Sequence, residues 1–402
     1  MEFLELVESL RAADASVQRL YGREGIALGT GAHTRNPDYM RRLREAADLI
    51  ADVYQGRRHP IVLREAMTTS DFPLLFGDVL ERQLLGKYAE TPSTIGNYIT
   101  MRTVRDFRNV SNFTVDGAET VLPPVGQREE YPMESLTEGR YQYKVNKYGK
   151  VIPFSWETMI NDDLDALKDI PDRFGKAARR SEEKFGTGLF MTSAGPDSTF
   201  FSNTNKNIVN TTNGASTNNP PLSIAALQDA MVVLSKQVDA GGDPIVIDMV
   251  DLVVPPALEI VARNILNAVQ LEVNTNGGNL TGLANSSGLE QRLIVANWMS
   301  NRLRLNVNYY APIINTTNGN TAWYLFASTG SSRPALVMAH LRGHEQPELF
   351  MKSPNAVRIG GGEVNPMDGD FDTDSLEYKI RHVFGGTQMD PKGAVSSEGD
   401  GT

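Results

Sequence analysis

The stretch from Phe154 to Met191 constrains the fold more than any other. It reads as a short helix, a break and a long helix. Ser155 followed by Glu157, with Met159, Ile160 and Leu164 behind them, predicts a helix start at Ser155. Pro171 fits the first turn of the second helix, where a missing N–H costs nothing. Phe174, Ala177, Ala178, Phe185 and Leu189 fall at spacings of three, four and seven and form a narrow apolar stripe. Arg179, Arg180, Glu182, Glu183 and Lys184 are expected on the opposite, solvated back. A helix of this kind lies across a sheet or a neighbouring subunit.

Composition removes several classes of function. With 402 residues, 40% hydrophobic and 22% charged, the chain can bury a sizeable core, in two or three domains or one elaborate one. The formal net charge is −10 and no strongly basic block interrupts it, which argues against a surface built to grip phosphates. The absence of cysteine excludes disulfides and thiolate metal sites. Met1-Glu2-Phe3-Leu4-Glu5 lacks the pattern of an export signal. No apolar run approaches the roughly 18 residues of a membrane span, so a soluble protein is expected.

Residues 1–58 read as two amphipathic helices around a glycine-bearing loop. The first carries Phe3, Leu4, Leu6, Val7 and Leu10, and the second runs from Asp38 to Tyr54. This segment is expected to be an arm or a small docking appendage. A helix over Asp78 to Lys87 follows. Two strand-like stretches, Tyr98 to Val110 and Tyr141 to Ile152, flank a middle from Gly117 to Glu138 that bears proline and glycine. Tyr141 to Tyr148 alternates with a period of two. A long polar hairpin is marginal alone and is expected to be held by another chain.

Past the long helix, Ser193 to Pro220 is loop material. Leu222 to Val238 predicts an amphipathic helix, Ile245 to Val250 and Leu252 to Val254 buried strands, and Ala257 to Ala268 a helix. An Asn/Gly-rich loop spans Asn274 to Gly288, and strands are expected at Arg292 to Ala296 and Thr321 to Ala327. That order predicts an α/β unit over 222–330. Ala335 to Ala339, Glu348 to Met351 and Leu376 to Phe384 read as returning strands, and Met389 to Thr402 as a frayed tail.

No constellation rises to a catalytic site. His340 and His344 are four apart with Glu345 adjacent, a spacing that binds metal on a helix. Gly343 and Pro347 predict strand and turn there instead, which favours solvated or hydrogen-bonded histidines. Gly86-Lys87, Gly149-Lys150 and Gly175-Lys176 lack the rest of a phosphate loop and read as turns or helix ends. Gly360-Gly361-Gly362 reads as a flexible turn. Asp162-Asp163-Asp165 and Asp368-Asp370-Asp372-Asp374 read as solvated acidic loops, the second lacking the calcium-loop pattern. No catalytic residue, cofactor or metal ligand is assigned.

The order of elements, with several local stretches, resembles the HK97-type major capsid protein of tailed bacteriophages, most of all its Mu-like major head subunit branch. Arg64-Glu65-Ala66-Met67-Thr68-Thr69-Ser70-Asp71-Phe72 resembles that family's leading segment. Tyr148-Gly149-Lys150, Ser155-Trp156-Glu157 and Asn161-Asp162-Asp163 resemble its junction from extended loop to spine helix. Leu252-Val253-Val254-Pro255-Pro256-Ala257-Leu258-Glu259 resembles the strand-to-helix turn of its axial domain. Trp323-Tyr324-Leu325-Phe326 and Arg381-His382-Val383-Phe384-Gly385-Gly386 resemble its closing strands. The likeness spans roughly residues 61–390.

The resemblance implies an α+β, HK97-like capsid fold. It would comprise an N-terminal helical arm over 1–60 with possible scaffold-like character, the start of a peripheral P-domain over 61–105 and an E-loop over 106–153. The spine helix and P-domain would occupy 154–221, an axial A-domain 222–330, return strands 331–385 and a tail 386–402. The resemblance implies a structural protein, not an enzyme: a head subunit forming pentamers and hexamers of an icosahedral shell around double-stranded DNA, without sequence-specific binding. The virion head would assemble in the host bacterial cytoplasm, with portal protein, scaffold or protease and cement proteins as partners, and with no cofactor and no membrane. Some members join subunits by a Lys–Asn isopeptide bond. Lys144, Lys147, Lys150 and Asn355 lie in the regions concerned, and no motif selects a pair. Two other readings stay open: an encapsulin-like nanocompartment shell and, more weakly, a metal-dependent enzyme using the His340/His344 region.

Overall fold

A computed structural model describes chiefly residues 37–54, 72–116, 137–155, 164–239, 242–268, 270–274, 292–331, 333–352 and 370–401. The expected first helix, the glycine loop after it, most of Arg64 to Asp71, most of the hairpin middle, Trp156 to Asp163, the loop over 275–288 and Gly360 to Gly362 lie outside the described residues.

The chain runs α1 (Pro37–Tyr54), α2 (Phe72–Glu90), α3 (Ile95–Tyr98), β1 (Thr100–Val104), β2 (Val110–Asp116), β3 (Thr137–Tyr143), β4 (Val145–Ser155) and α4 (Leu164–Gly188). A small hairpin of β5 (Met191–Thr192) and β6 (Gly195–Pro196) precedes α5 (Ile224–Ser235), β7 (Val250–Val254), α6 (Glu259–Asn267), β8 (Gln270–Asn274) and β9 (Arg292–Ala296). Then come α7 (Met299–Arg302), β10 (Leu303–Val307), α8 (Ala311–Ile314), β11 (Trp323–Ala327), β12 (Leu336–Leu341), β13 (Glu348–Met351), β14 (Ser375–Gln388) and β15 (Ala394–Ser397).

Helix α4 differs from expectation at its start. Ser155 does not cap a helix; it ends β4, paired with Ser375 of β14. The ladder there outweighs the local capping signal. Helix α4 begins at Leu164 and carries Pro171 in its interior, which removes one backbone donor. Ile170, Phe174 and Ala178 are buried, and α4 packs along α2, so tertiary burial offsets that loss. Gly175 lies at the contact, since a Cβ there would sit 2.6 Å from the Leu84 carbonyl oxygen. The Gly-Lys pairs therefore mark neither turns nor helix ends: Gly86 and Gly175 lie inside α2 and α4, and Gly149 inside β4. Helix α1, the second helix of the expected arm, packs on α2 of its own chain and buries Ala46, Ala47, Ile50, Ala51 and Val53.

The first sheet is built on β14. Strand β4 runs antiparallel along one edge of it, from Ser155↔Ser375 to Val145↔Gly385. Along the other edge, β12 pairs with the end near Phe384 and β13 with the stretch near Ile380. Strands β12 and β13 thus follow one another as a single interrupted partner, with the 342–347 turn between them. Strand β1 lies parallel outside β12. The expected pairing of Tyr98–Val110 with Tyr141–Ile152 is replaced by two arrangements. The hairpin is β2 with β3, while β1 and β4 belong to the first sheet.

The second sheet has the order β10-β7-β11-β15. Its central strands β7 and β11 are buried on both faces, and β11 is continuously apolar, not alternating. Val250, Leu252 and Val254 of β7, with Trp323 and Leu325 of β11, meet Leu227, Leu234, Ala262 and Ile265 of α5 and α6. Val253, Tyr324 and Phe326 face the other way, into an aromatic core with Tyr98, Phe190 and Phe201 that also takes Leu336, Met338 and Phe384 of the first sheet. Ser223 caps α5 by accepting from the Ala226 N–H at 3.1 Å. The strand expected over Ile245 to Val250 begins only at Val250; Val246 and Met249 are exposed. The expected frayed tail is also absent. Its β15 pairs with β11, and Ala394, Val395, Ser396 and Ser397 are all buried.

Val395 touches the core beneath α5, so Val395→Ala is expected to lower stability by about 2 kcal/mol. Urea denaturation checks it; a change within noise would mean that β15 does not hold the second sheet.

Candidate functional site

Helix α4 crosses the face of the first sheet formed by one phase of its strands. Alternation places Leu336, Met338 and His340 together on β12, and Tyr378, Ile380, His382 and Phe384 together on β14. On α4, Phe174, Ala178, Glu182 and Phe185 recur at helical spacing. Glu182 consequently sits within the buried stripe, where it is 1% exposed. Glu183, also expected on the solvated back, is buried too and accepts from the Thr94 N–H at 2.9 Å. Ala177, expected in the stripe, is exposed.

The Glu182 carboxylate is surrounded by donors from three other elements and its own helix. Its Oε1 lies 2.9 Å from His340 Nε2 and 2.6 Å from His382 Nε2. Arg179 donates to Oε2 at 3.0 Å. The Tyr88 hydroxyl, from α2, lies 2.8 Å from both oxygens, and the Arg179 guanidinium covers the Tyr88 ring at 3.9 Å. Burial by itself would raise the Glu182 carboxyl. The two imidazoles and Arg179 reverse that and hold it well below the ordinary carboxylate range. Burial, with Glu182 alongside, pushes the Tyr88 phenol far up, so it stays a donor. The network ties α4 to α2, β12 and β14 through one buried charge.

The histidine pair singled out in the sequence is divided. His340 reaches Glu182, whereas His344 pairs with Glu348, which also takes Arg381. The turn between them contains Gly343, at φ 82°, whose N–H is held by the Glu345 carboxylate. Asp370 is no solvated ligand: it accepts from the backbone and hydroxyls of Thr373 and Ser375 and pairs with Lys352 at 3.2 Å. Those bonds, Ser375 first, hold its carboxyl well below the usual range. Asn355 accepts from the Phe371 N–H at 2.8 Å, and Lys144, Lys147 and Lys150 are exposed. The residues missed by sequence reasoning are Glu182 and His382, and both had a signal: each occupies the buried phase of its own element.

A second feature lies around the second sheet. Large apolar side chains are open to solvent at Val246 (79% exposed), Ile260 on α6 (71%), and Tyr309 and Ile313 (62% each). Apolar side chains left out of a well-filled unit suit contact with another surface.

A family model described as phage capsid protein matches residues 140–397. No curated protein matches the chain. Among solved structures, one from Gordonia phage Cozz is 15% identical, covers 76% of this chain and 87% of its own, and has a TM-score of 0.40. The capsid structure of cyanophage P-SCSP1u is 10% identical over 76% and 87%, with a TM-score of 0.41. A virus-like particle from Pyrococcus furiosus is 10% identical over 80% and 99%, at 0.40.

Glu182→Ala strands Arg179 and two imidazoles and is expected to cost about 3–5 kcal/mol in urea unfolding. His344→Ala, at a half-open pair, is expected to cost about 1 kcal/mol or less. Equal losses would mean that the Glu182 carboxylate is not the tie between helix and sheet.

Proposed function

We infer the role of this chain from its family: it belongs to the phage capsid protein family. It is a major capsid protein, a structural component of the virion head that assembles with copies of itself. The observation that carries this is the match over residues 140–397, a span that runs from β3 to β15 and takes in every strand of the two sheets except β1.

In the finer reading, the copies form pentamers and hexamers of an icosahedral shell that encloses double-stranded DNA. Of the stretch 106–153, the part before Val145 acts as the extended loop lying on a neighbouring subunit, while Val145 onward is β4 of the first sheet. The β2–β3 hairpin within that loop supports this, because its strands pair with each other and an isolated hairpin is marginal in water. Residues 154–221 and 331–385 form the peripheral domain around α4, and 222–330 the axial domain that meets its copies at five-fold and six-fold positions. The open Val246, Ile260, Tyr309 and Ile313 supply apolar contact there. Each contact is small, and closure of the shell multiplies them by avidity. Residues 1–60 serve as arm or scaffold-like segment. The part is mechanical and not enzymatic. Portal protein, scaffold or protease and cement proteins complete the head in the host cytoplasm. The net charge of −10 suits enclosure of DNA without sequence-specific grip. Among the described residues, no helix is long and apolar enough to cross a membrane.

Negative-stain microscopy of the purified chain is expected to reveal closed shells or five- and six-membered rings. Ile260→Asp is expected to abolish them while changing monomer stability by about 0.5 kcal/mol or less. Unchanged shells in that variant would remove α6 from the interface, and virion-derived shells packed with protein instead of DNA would overturn the head assignment.

A further inference from the structure

We propose that Glu182, His340 and His382 form a binding site for a divalent transition metal of the zinc class, set between α4 and the first sheet. One ligand atom from each of the three lies within 4.8 Å of the other two. Among the described residues they are the one group of three histidines or carboxylates placed to share an ion. Both imidazoles turn the same nitrogen, Nε2, towards the same carboxylate oxygen, at 2.9 and 2.6 Å. Two imidazole nitrogens with one carboxylate oxygen suit Zn²⁺, Co²⁺, Ni²⁺ or Fe²⁺, whereas Ca²⁺ and Mg²⁺ take oxygen donors.

The backbone fixes this convergence. His340 is paired with Phe384 across the β12–β14 ladder, so His382 is its diagonal neighbour on the same face, with ring centroids 5.7 Å apart. Helix α4 then brings the carboxylate down between them. Outer groups orient that carboxylate: Arg179 takes Oε2 at 3.0 Å, and the Tyr88 hydroxyl bonds at 2.8 Å. Second contacts of this kind hold a ligand in its binding orientation. Coordination needs the Nε2 lone pair of each ring. Each ring provides it when its proton sits on Nδ1, so the Nε2–H bonds to Glu182 give way to the ion. With three protein ligands and a guanidinium beside them, the site is expected to bind more weakly than a closed four-ligand zinc site. His344 takes no part, being held by Glu348. The proposal concerns the subunit alone and does not depend on how subunits assemble.

The full chain, stripped by chelator and gel-filtered, is titrated with Zn²⁺ and separately with Co²⁺. The expected result is about one retained metal per chain by elemental analysis, a rise in Tm with Zn²⁺, and visible absorption from bound Co²⁺. His340→Ala and His382→Ala are expected to lose all three signals, and His344→Ala to keep them. Tyr88→Phe keeps every ligand and is expected to weaken binding about 10–100-fold, which tests the site even where a histidine variant fails to fold. Wild-type protein that retains no metal, shows no cobalt band and gains no Tm would overturn the proposal, leaving a hydrogen-bonded tie only. Equal metal retention by the His340→Ala and His382→Ala variants would overturn it as well, by placing the ion elsewhere.

Discussion

Strand β14 is hydrogen-bonded along both edges for most of its length, and the first sheet exists through it. Strand β4 occupies one side, and β12 and β13 share the other end to end. A slip of one residue in any of these ladders would turn the inward row of β14 outward, taking Tyr378, Ile380, His382 and Phe384 away from the interior. Gly385 and Gly386 guard the register where three strands come closest. A side chain at either would run into the backbone of Lys144 or Val337.

On this sheet rests a helix with one unusual demand. A carboxylate in an apolar stripe has to be met by donors, and beside Arg179 of its own helix Glu182 finds them on α2, β12 and β14. The requirement is geometric as well as energetic, since it aligns helix and strands to within a hydrogen-bond length. The second sheet has a smaller counterpart, the buried Asp251 of β7 held by Arg304 and Asn306 of β10. Its aromatic side joins the first sheet directly through Leu336, Met338 and Phe384.

Much of this was legible wherever periodicity was unmistakable. Helices α5 and α6, strand β11 and most of β14 lie where alternation or helical spacing predicts them. The failures have particular causes. Ser155 carries the residue pattern of a cap, but its backbone was claimed by a ladder with Ser375, a partner more than two hundred residues away. Val246 and Met249 read as core because they are apolar, and apolarity does not distinguish an interior from a surface awaiting a partner. Strand β15 is short and built from Ala, Val and two serines, which carry little hydrophobic signal beside a polar tail. Glu182 was assigned to solvent by its charge although its position placed it in the stripe. The pair His340/His344 drew attention by spacing, while the true neighbour of His340 was His382, visible only as the buried phase of a distant strand. The head-shell role followed from the order of elements and the family likeness, since no catalytic pattern accompanied them.

The position of β15 in the chain sets a timetable. Val395 shares a core with Leu252 and Trp323, so the second sheet is incomplete until residues 394–397 have been synthesised. Ribosomes add roughly 5–20 residues per second, and the interval between making β7 and making β15 is therefore on the order of ten seconds. For about the second half of it, once β11 has been made, the edge of β11 that takes β15 stays open. The core that α5 shares with the second sheet therefore closes only after β15 emerges.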